Sequence, residues 1–164
     1  MITIDVVLKN PQVIVDVLDR VGHAVVRLDP GHVDQIGDAV RNAYKIVFDT
    51  EGQPSGGWRP LSKRTTVPER ISLGFPGEHP ILRRTGSLMS SFVDRGNALH
   101  RQQSGSFMGM TVITVGSGDP RASVLSHGDP TRAIPERPIE FFDDRMIADI
   151  GAVVETVVVK AAGI

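Results

Sequence analysis

Apolar residues recur with a regular period near both ends of the chain and lose that period in the middle. At the N-terminus, every second residue from Ile2 to Val6 is isoleucine or valine, which predicts a short strand. A first helix is predicted to begin at Asn10-Pro11, since asparagine caps helices and proline is tolerated in the first turn. It is predicted to end at Gly22, after an apolar face made of Val13, Ile14, Val17, Leu18 and Val21.

Two longer amphipathic helices are predicted further along the chain. One follows Asp29-Pro30 and ends near Thr50-Glu51-Gly52, and its apolar stripe comprises Val33, Ile36, Val40, Tyr44 and Val47. The other begins at Asp143, a favourable N-cap, and runs almost to the C-terminus. Its stripe comprises Met146, Ile147, Ile150, Val153, Val154, Val157 and Ala161.

Between these two helices lies a segment rich in proline, glycine and basic residues. Residues 53–85 contain nine prolines and glycines, which interrupt every possible regular element. They predict an extended arm at about residues 52–86, either disordered alone or held by something outside the monomer. The arm's cations are Arg59, Lys63, Arg64, Arg70, Arg83 and Arg84.

Shorter elements are predicted between the arm and the last helix. A helical turn should begin at Thr85 and end at about Phe92, and another should cover Ala122 to His127. Two strands near residues 98–103 and 108–116 predict a β-hairpin, with Ser104-Gly105-Ser106 as its turn. The predicted fold class is therefore α+β, in a single domain over residues 1–164.

The composition is that of an ordinary globular domain. The chain has 164 residues, of which 40% are hydrophobic and 23% charged, with a net charge of -1. This balance gives no general reason to expect binding to nucleic acid or to anionic membranes. The absence of cysteine excludes disulfides, thiolate metal sites and a cysteine nucleophile. No signal peptide and no apolar run of about 20 residues is present, so we expect no membrane partner and synthesis in a cytoplasm.

The sequence offers no pattern typical of catalysis. The five histidines include no pair at the i, i+4 spacing of a helical metal site. Asp143 and Asp144 fit a helix start better than an acid/base pair, since adjacent helical residues point in different directions. Gly116-Ser117-Gly118 lacks the further residues of a phosphate-binding loop. We therefore predict no enzyme activity, no cofactor and no metal.

Two blocks of residues carry a resemblance to a known family. The first is Gly57-Trp58-Arg59-Pro60-Leu61-Ser62, then Thr65, then Ile81-Leu82-Arg83-Arg84-Thr85-Gly86-Ser87-Leu88. The second is Ala122, His127-Gly128 and Ile134-Pro135-Glu136-Arg137-Pro138-Ile139, before a C-terminal helix. Their order and spacing, over roughly residues 52–160, resemble the phage virion morphogenesis family, which includes tail-completion and neck proteins. Ile139 stands where that family usually has phenylalanine, and no tyrosine precedes Ala122.

The resemblance implies a structural subunit of a tailed-phage virion. It would act at the neck or the head-proximal end of the tail, in tail completion and head–tail joining. It would assemble in the host cytoplasm into a homo-oligomeric ring, with a hexamer favoured, and contact neighbouring neck and tail proteins. DNA would pass through the lumen of that ring. The alternative is a tail terminator or head–tail connector component that contacts DNA through the basic arm.

Physical reasoning assigns the motif residues assembly roles. Trp58 is the sole tryptophan and is suited to anchor a mobile segment in a pocket, with Leu61, Ile81 and Leu82 docking beside it. Arg137, held between two prolines, is placed to reach a carboxylate on the same or a neighbouring chain. The predicted interface residues are Trp58, Pro60, Leu61, Arg64, Ile81, Leu82, Arg84, Leu88, Pro135 and Arg137.

Two other classes of function are alternatives to assembly. A nucleic-acid-binding module would explain the basic arm, but aromatic residues are sparse there and the net charge is close to zero. A small hydrolase would rest only on scattered histidine, serine and aspartate residues, without a supporting spacing.

Overall fold

The computed structural model describes residues 16, 19, 28–107, 110–140 and 143–163. The predicted N-terminal strand and nearly all of the predicted first helix lie outside those residues. Elsewhere the fold is α+β, as predicted. The elements in chain order are α1 (Pro30–Asp49), a 3-10 helix (Gln53–Ser55), α2 (Thr66–Ser72), α3 (Ser87–Val93), β1 (His100–Phe107), β2 (Met110–Ser117), α4 (Pro120–His127), a second 3-10 helix (Pro130–Arg132) and α5 (Asp144–Ala162).

Helix α1 forms the centre of the described fold and begins where the sequence predicts. The Asp29 carboxylate caps it by accepting a hydrogen bond from the His32 amide at 2.9 Å. Four of the five predicted stripe residues are buried, and the fifth, Val40, is partly buried against the core. Arg41, which lies outside the predicted apolar stripe, is also buried, because its guanidinium bonds Asp38 at 2.6 Å and also the Gln102 side chain.

Helix α5 packs along α1 and also begins at its predicted cap. The Asp143 carboxylate accepts a hydrogen bond from the Met146 amide at 2.8 Å. Met146 and Val157 are buried, and most other stripe residues are half-buried. Ile147 was placed on the wrong side by the prediction, since 58% of it is exposed.

The predicted hairpin is present, but its turn lies elsewhere. Strands β1 and β2 pair antiparallel from His100↔Ser117 to Phe107↔Met110. Ser104, Gly105 and Ser106, which were predicted as the turn, instead continue β1 and pair with residues of β2. These three residues do not form a turn. Gly105 has no positive φ, and the strand pairing on either side of it holds it extended.

The arm, residues 52–86, is more regular than the sequence predicts. Helix α2 forms because Pro68 falls in its first turn, where a missing N–H costs nothing, and it ends at Ser72, two residues before Gly74, which has a φ of +77°. The expectation of a long loop without regular elements is therefore wrong for residues 66–72. Both ends of the arm pack onto the chain's own core through Trp58 and Ile81.

One cluster of buried side chains joins α1, the arm and the segment before α5. Phe48, fully buried, contacts the Trp58 ring edge-on at a centroid distance of 5.5 Å and the Phe92 ring at 5.8 Å. The cluster comprises Tyr44, Val47, Phe48, Trp58, Ile81, Leu88, Phe92 and Ile139. Its members include residues from both motif blocks, so both blocks help to form this core.

Candidate functional site

The two motif blocks form opposite walls of a groove of about 1250 Å³. The first wall consists of the arm and the start of α3, including Pro60, Leu61, Leu82 and Leu88. The second wall consists of α4 and the segment up to Arg137, which follows it. Arg59 and Ile134 are about 75 residues apart in the sequence. Two distant segments of the chain thus share one surface.

Two hydrogen bonds hold the walls together at the bottom of the groove. The Trp58 indole donates from Nε1 to the Pro138 carbonyl at 2.8 Å. The Arg137 guanidinium donates from Nε to the Arg59 carbonyl at 3.1 Å. Trp58 sits against the backbone of Gly52, whose φ of +78° and lack of a Cβ leave room for the ring. The tryptophan therefore fixes the position of one wall relative to the other.

The second wall is shaped by a tight loop after α4. Asp129 and Ile134 exchange two backbone hydrogen bonds, of 2.8 and 2.9 Å. The Asp129 carboxylate accepts hydrogen bonds from Thr131 and Arg132, and these lower the pKa of Asp129 to about 2. Gly128 has a φ of +74° and lies against the backbone of Glu136, where a Cβ would overlap it. These contacts keep Pro135 and Arg137 on the groove side.

The structure brings most of the predicted interface residues to this groove. Those that line it are Pro60, Leu61, Leu82, Arg84, Leu88, Pro135 and Arg137. Trp58 and Ile81 lie beneath the groove in the core, with exposed fractions of 6% and 2%, respectively. Arg64 is exposed and lies outside the lining. Leu61 and Leu82 pack against the Trp58 cluster, as the sequence analysis proposed.

Two buried arginines distinguish this groove from an ordinary surface cleft. Arg137 is 5% exposed and Arg70 is 4% exposed, and both line the groove. Neither guanidinium has a carboxylate within ion-pair distance among the residues that the structure describes. Burial lowers the pKa of Arg137, and the nearby positive charge of Arg59 lowers it further. Arg70 donates from Nη2 to the Pro80 carbonyl at 3.1 Å, while its buried Nε has no partner.

Three other arginines of the groove are neutralised within the chain. Arg121 pairs with the buried carboxylate of Asp119 at 2.5 Å, which lowers the pKa of Asp119. Arg132 pairs with Asp129 at 2.6 Å, and Arg84 lies 3.5 Å from Glu69. The lining as a whole holds six arginines and three carboxylates, so it is cationic.

Arg70, Arg121 and Arg132 were not among the predicted residues of this site. Arg121 and Arg132 lie near the second motif block but outside its matched positions. The burial of Arg70 follows from its contact with Pro80, ten residues away, and no periodic pattern marks it. For Arg121 and Arg132 a signal was present, since each follows an aspartate by two or three residues in a capping position.

The arm's remaining cations are partly engaged by acidic residues of the same chain. Arg83 pairs with Asp49 at 2.9 Å, and Lys63 lies 3.3 Å from Glu78. Exposed Arg59 and Arg64 have no ion pair in the part of the chain described. The basic arm thus presents fewer free cations than its composition indicates.

Within the described ranges, no group of three histidine, aspartate or glutamate side chains is placed to hold a metal ion. The described histidines have separate partners: His32 pairs with Asp29, His79 with Glu51, and His100 and His127 with backbone carbonyls. None of the helices in the described residues is both long and apolar enough to cross a membrane.

Comparisons with family models, with curated proteins and with solved structures find no match to this chain. The resemblance to the phage virion morphogenesis family therefore rests on the motif residues themselves.

Proposed function

We propose that this chain is a structural subunit of a tailed-phage virion. In this proposal it acts at the neck or the head-proximal end of the tail, in tail completion and head–tail joining. The observation that carries it is the groove, because the two blocks that resemble the phage family become the two walls of one surface. A motif that served only the folding of the core would not need polar and cationic residues along one open face.

The kind of lining also favours an assembly role. The groove combines apolar leucines and prolines with arginines, and arginine is enriched where proteins contact proteins. Its volume exceeds the range of about 300–1,000 Å³ typical of small-molecule pockets and suits a polypeptide segment. The proposed partners are further copies of the chain, in a ring for which a hexamer is favoured, and adjacent neck and tail proteins.

The alternative role, a terminator or connector component that binds DNA through the basic arm, has weaker support. Three of the arm's six cations already pair with carboxylates of the same chain, and a fourth, Arg70, is buried. Surfaces that bind duplex phosphates need several exposed, unpaired cations.

The direct test is a phage in which this gene is deleted. We expect negative-stain images of the lysate to show filled heads and separate tails that fail to join. Adding the purified wild-type protein should restore complete particles. Complete infectious particles without the protein would overturn the proposal.

A variant with a damaged groove provides the matched measurement. Arg59→Glu reverses the charge of an exposed side chain in the groove. Arg64→Glu reverses the charge of an exposed arginine that belongs to the same arm but lies outside the groove. We expect Arg64→Glu to restore particles as the wild type does and Arg59→Glu to restore far fewer. Equal restoration by both variants would mean that the groove has no part in assembly.

A further inference from the structure

The groove contains positive charge that the described chain does not neutralise. Arg137 and Arg70 are each at least nine-tenths buried and face the groove, and neither has a carboxylate partner in the described residues. Buried charges are normally paired, because removal from water without a counter-ion is costly. An anion from outside the described residues would supply the missing partner of this site.

A carboxylate fits this site better than a nucleic-acid phosphate does. A nucleic-acid backbone would bring several negative charges close to Glu69, Asp129 and Glu136 of the same lining, whereas a single carboxylate brings one. Apolar side chains such as Leu61 and Pro135 also line the groove, and they suit the stem of an acidic side chain. Arginine in a recessed site binds a carboxylate in a well-defined, often bidentate geometry.

Unpaired carboxylates occur on the exposed face of α5 of the same chain. Asp144 and Glu155 lie about three helical turns apart and so share one side of the helix. Both are exposed, and neither carboxylate has a hydrogen bond or ion pair with any described residue. Gly151 lies between them on that side and permits close approach of another surface.

The same side of α5 also exposes apolar residues. Ile147 is 58% exposed and Val159 is 39% exposed, although an α-helix of a monomer usually turns such side chains inward. Acidic residues flanked by exposed apolar ones form a surface complementary to a groove that combines leucines, prolines and arginines.

We infer that the groove of one copy binds the acidic face of α5 of a second copy, with Glu155 or Asp144 pairing with Arg137. Because the groove and the helix are different surfaces, the contact is heterologous, and its repetition generates a ring when the rotation closes. The inference rests on the proposed function only in taking the assembled form to be a ring of this chain.

Charge reversals on each surface test this contact by light scattering across a range of protein concentrations. Arg59→Glu alters the groove and Glu155→Arg alters the helix, and both replace exposed side chains. We expect each to raise the concentration needed for half-assembly by at least about tenfold. The matched controls are Arg64→Glu and Asp149→Arg, which make the same charge changes outside the groove and on another side of α5, and they should assemble as the wild type does. Thermal melting verifies that each variant is folded.

Mixing the two defective variants gives a sharper result. Arg59→Glu retains an intact helix surface, and Glu155→Arg retains an intact groove. At concentrations at which the wild type assembles, each alone should stay monomeric, while their mixture should associate, because the intact groove of one variant meets the intact helix of the other. A mixture that stays monomeric under those conditions would contradict the proposed geometry. Arg137→Gln, which removes the buried charge, should behave like Arg59→Glu.

Several outcomes would overturn the inference. The inference is overturned if the wild-type chain stays monomeric at all concentrations. It is also overturned if Glu155→Arg leaves assembly unchanged. Loss of low-salt binding to a labelled DNA duplex in Arg59→Glu, with assembly unchanged, would assign the groove to phosphates instead. None of these results decides the proposed function, because restoration of phage particles by the wild-type protein measures that separately.

Discussion

The two ends of the arm and its middle follow different physical rules. At the ends, Trp58 and Ile81 are almost fully buried in a shared core. In the middle, Ile71 is 61% exposed and Leu73 is 54% exposed, although both are apolar and belong to the same proline- and glycine-rich stretch. The arm is therefore attached to the core at two points, and the helix α2 between them leaves apolar surface open.

Under the proposed function, this difference allows one segment to serve both folding and assembly. The buried ends fix the first wall of the groove against the second, through the Trp58 hydrogen bond to Pro138 and the packing against Phe48. The exposed middle contributes little to this attachment, so its surface is free to contact other molecules. Substitutions at the ends of the arm should therefore cost more stability than substitutions in its middle.

Replacing Trp58 should have the largest effect on stability. Trp58→Ala removes a buried ring and leaves the Pro138 carbonyl without its donor, so we expect the free energy of unfolding to fall by about 3–5 kcal/mol. Urea unfolding followed by circular dichroism measures this loss. The control is Phe75→Ala, an aromatic residue in the middle of the arm that is only half-buried, beneath the Arg84 guanidinium. A loss for Phe75→Ala as large as that for Trp58→Ala would contradict the division.

Two isoleucines of the arm provide a comparison of the same substitution at both kinds of position. Ile81→Ala empties a core site and should cost about 2–5 kcal/mol, while Ile71→Ala on exposed α2 should stay within about 0.5 kcal/mol of the wild type. Thermal or urea unfolding of both variants, measured together, gives the difference directly. Equal losses would show that α2 is packed as firmly as the ends.

The core beneath the arm should also respond to alkaline pH. Burial raises the pKa of Tyr44 to about 12, while in the unfolded chain it should stay near 10. Between those values the unfolded chain loses the phenolic proton and the folded chain keeps it, so stability falls as pH rises. The full loss is on the order of 3 kcal/mol above pH 12 and is absent well below pH 10.

The measurement is direct because Tyr44 is the only tyrosine of the chain. Its absorbance at alkaline pH reports its ionisation alone, and urea unfolding at several pH values reports the stability. Tyr44→Phe, which loses only a 3.3 Å hydrogen bond to the Val115 carbonyl, should flatten this pH dependence. A tyrosine that titrates near 10 in the folded protein would place Tyr44 outside a closed core.

Local features of the sequence predicted much of this architecture. Asp143 was predicted as a cap and a helix was predicted after Asp29-Pro30, because a helix start depends on neighbouring residues, and the structure has a capping contact at both positions. The hairpin turn was misplaced because Ser104-Gly105-Ser106 can be either turn or strand, and pairing with β2 decides between them. The buried arginines had no signal of their own, since the burial of Arg137 depends on Arg59, 78 residues away. Contacts of that kind are tertiary, so no local pattern in the sequence predicts them.

The smallest predicted effect concerns two ion pairs formed by residues of the arm. Lys63 and Glu78 connect parts of the middle, with side chains 79% and 51% exposed, whereas Arg83 and Asp49 join one end to α1, with 34% and 35% exposed. Water screens the first pair almost completely, so Lys63→Met should leave the free energy of unfolding unchanged within about 0.3 kcal/mol. Arg83→Met should cost up to about 1 kcal/mol, and added salt should reduce that cost. A larger cost for Lys63→Met than for Arg83→Met would reverse the comparison, since the middle of the arm would then be fastened more strongly than its ends.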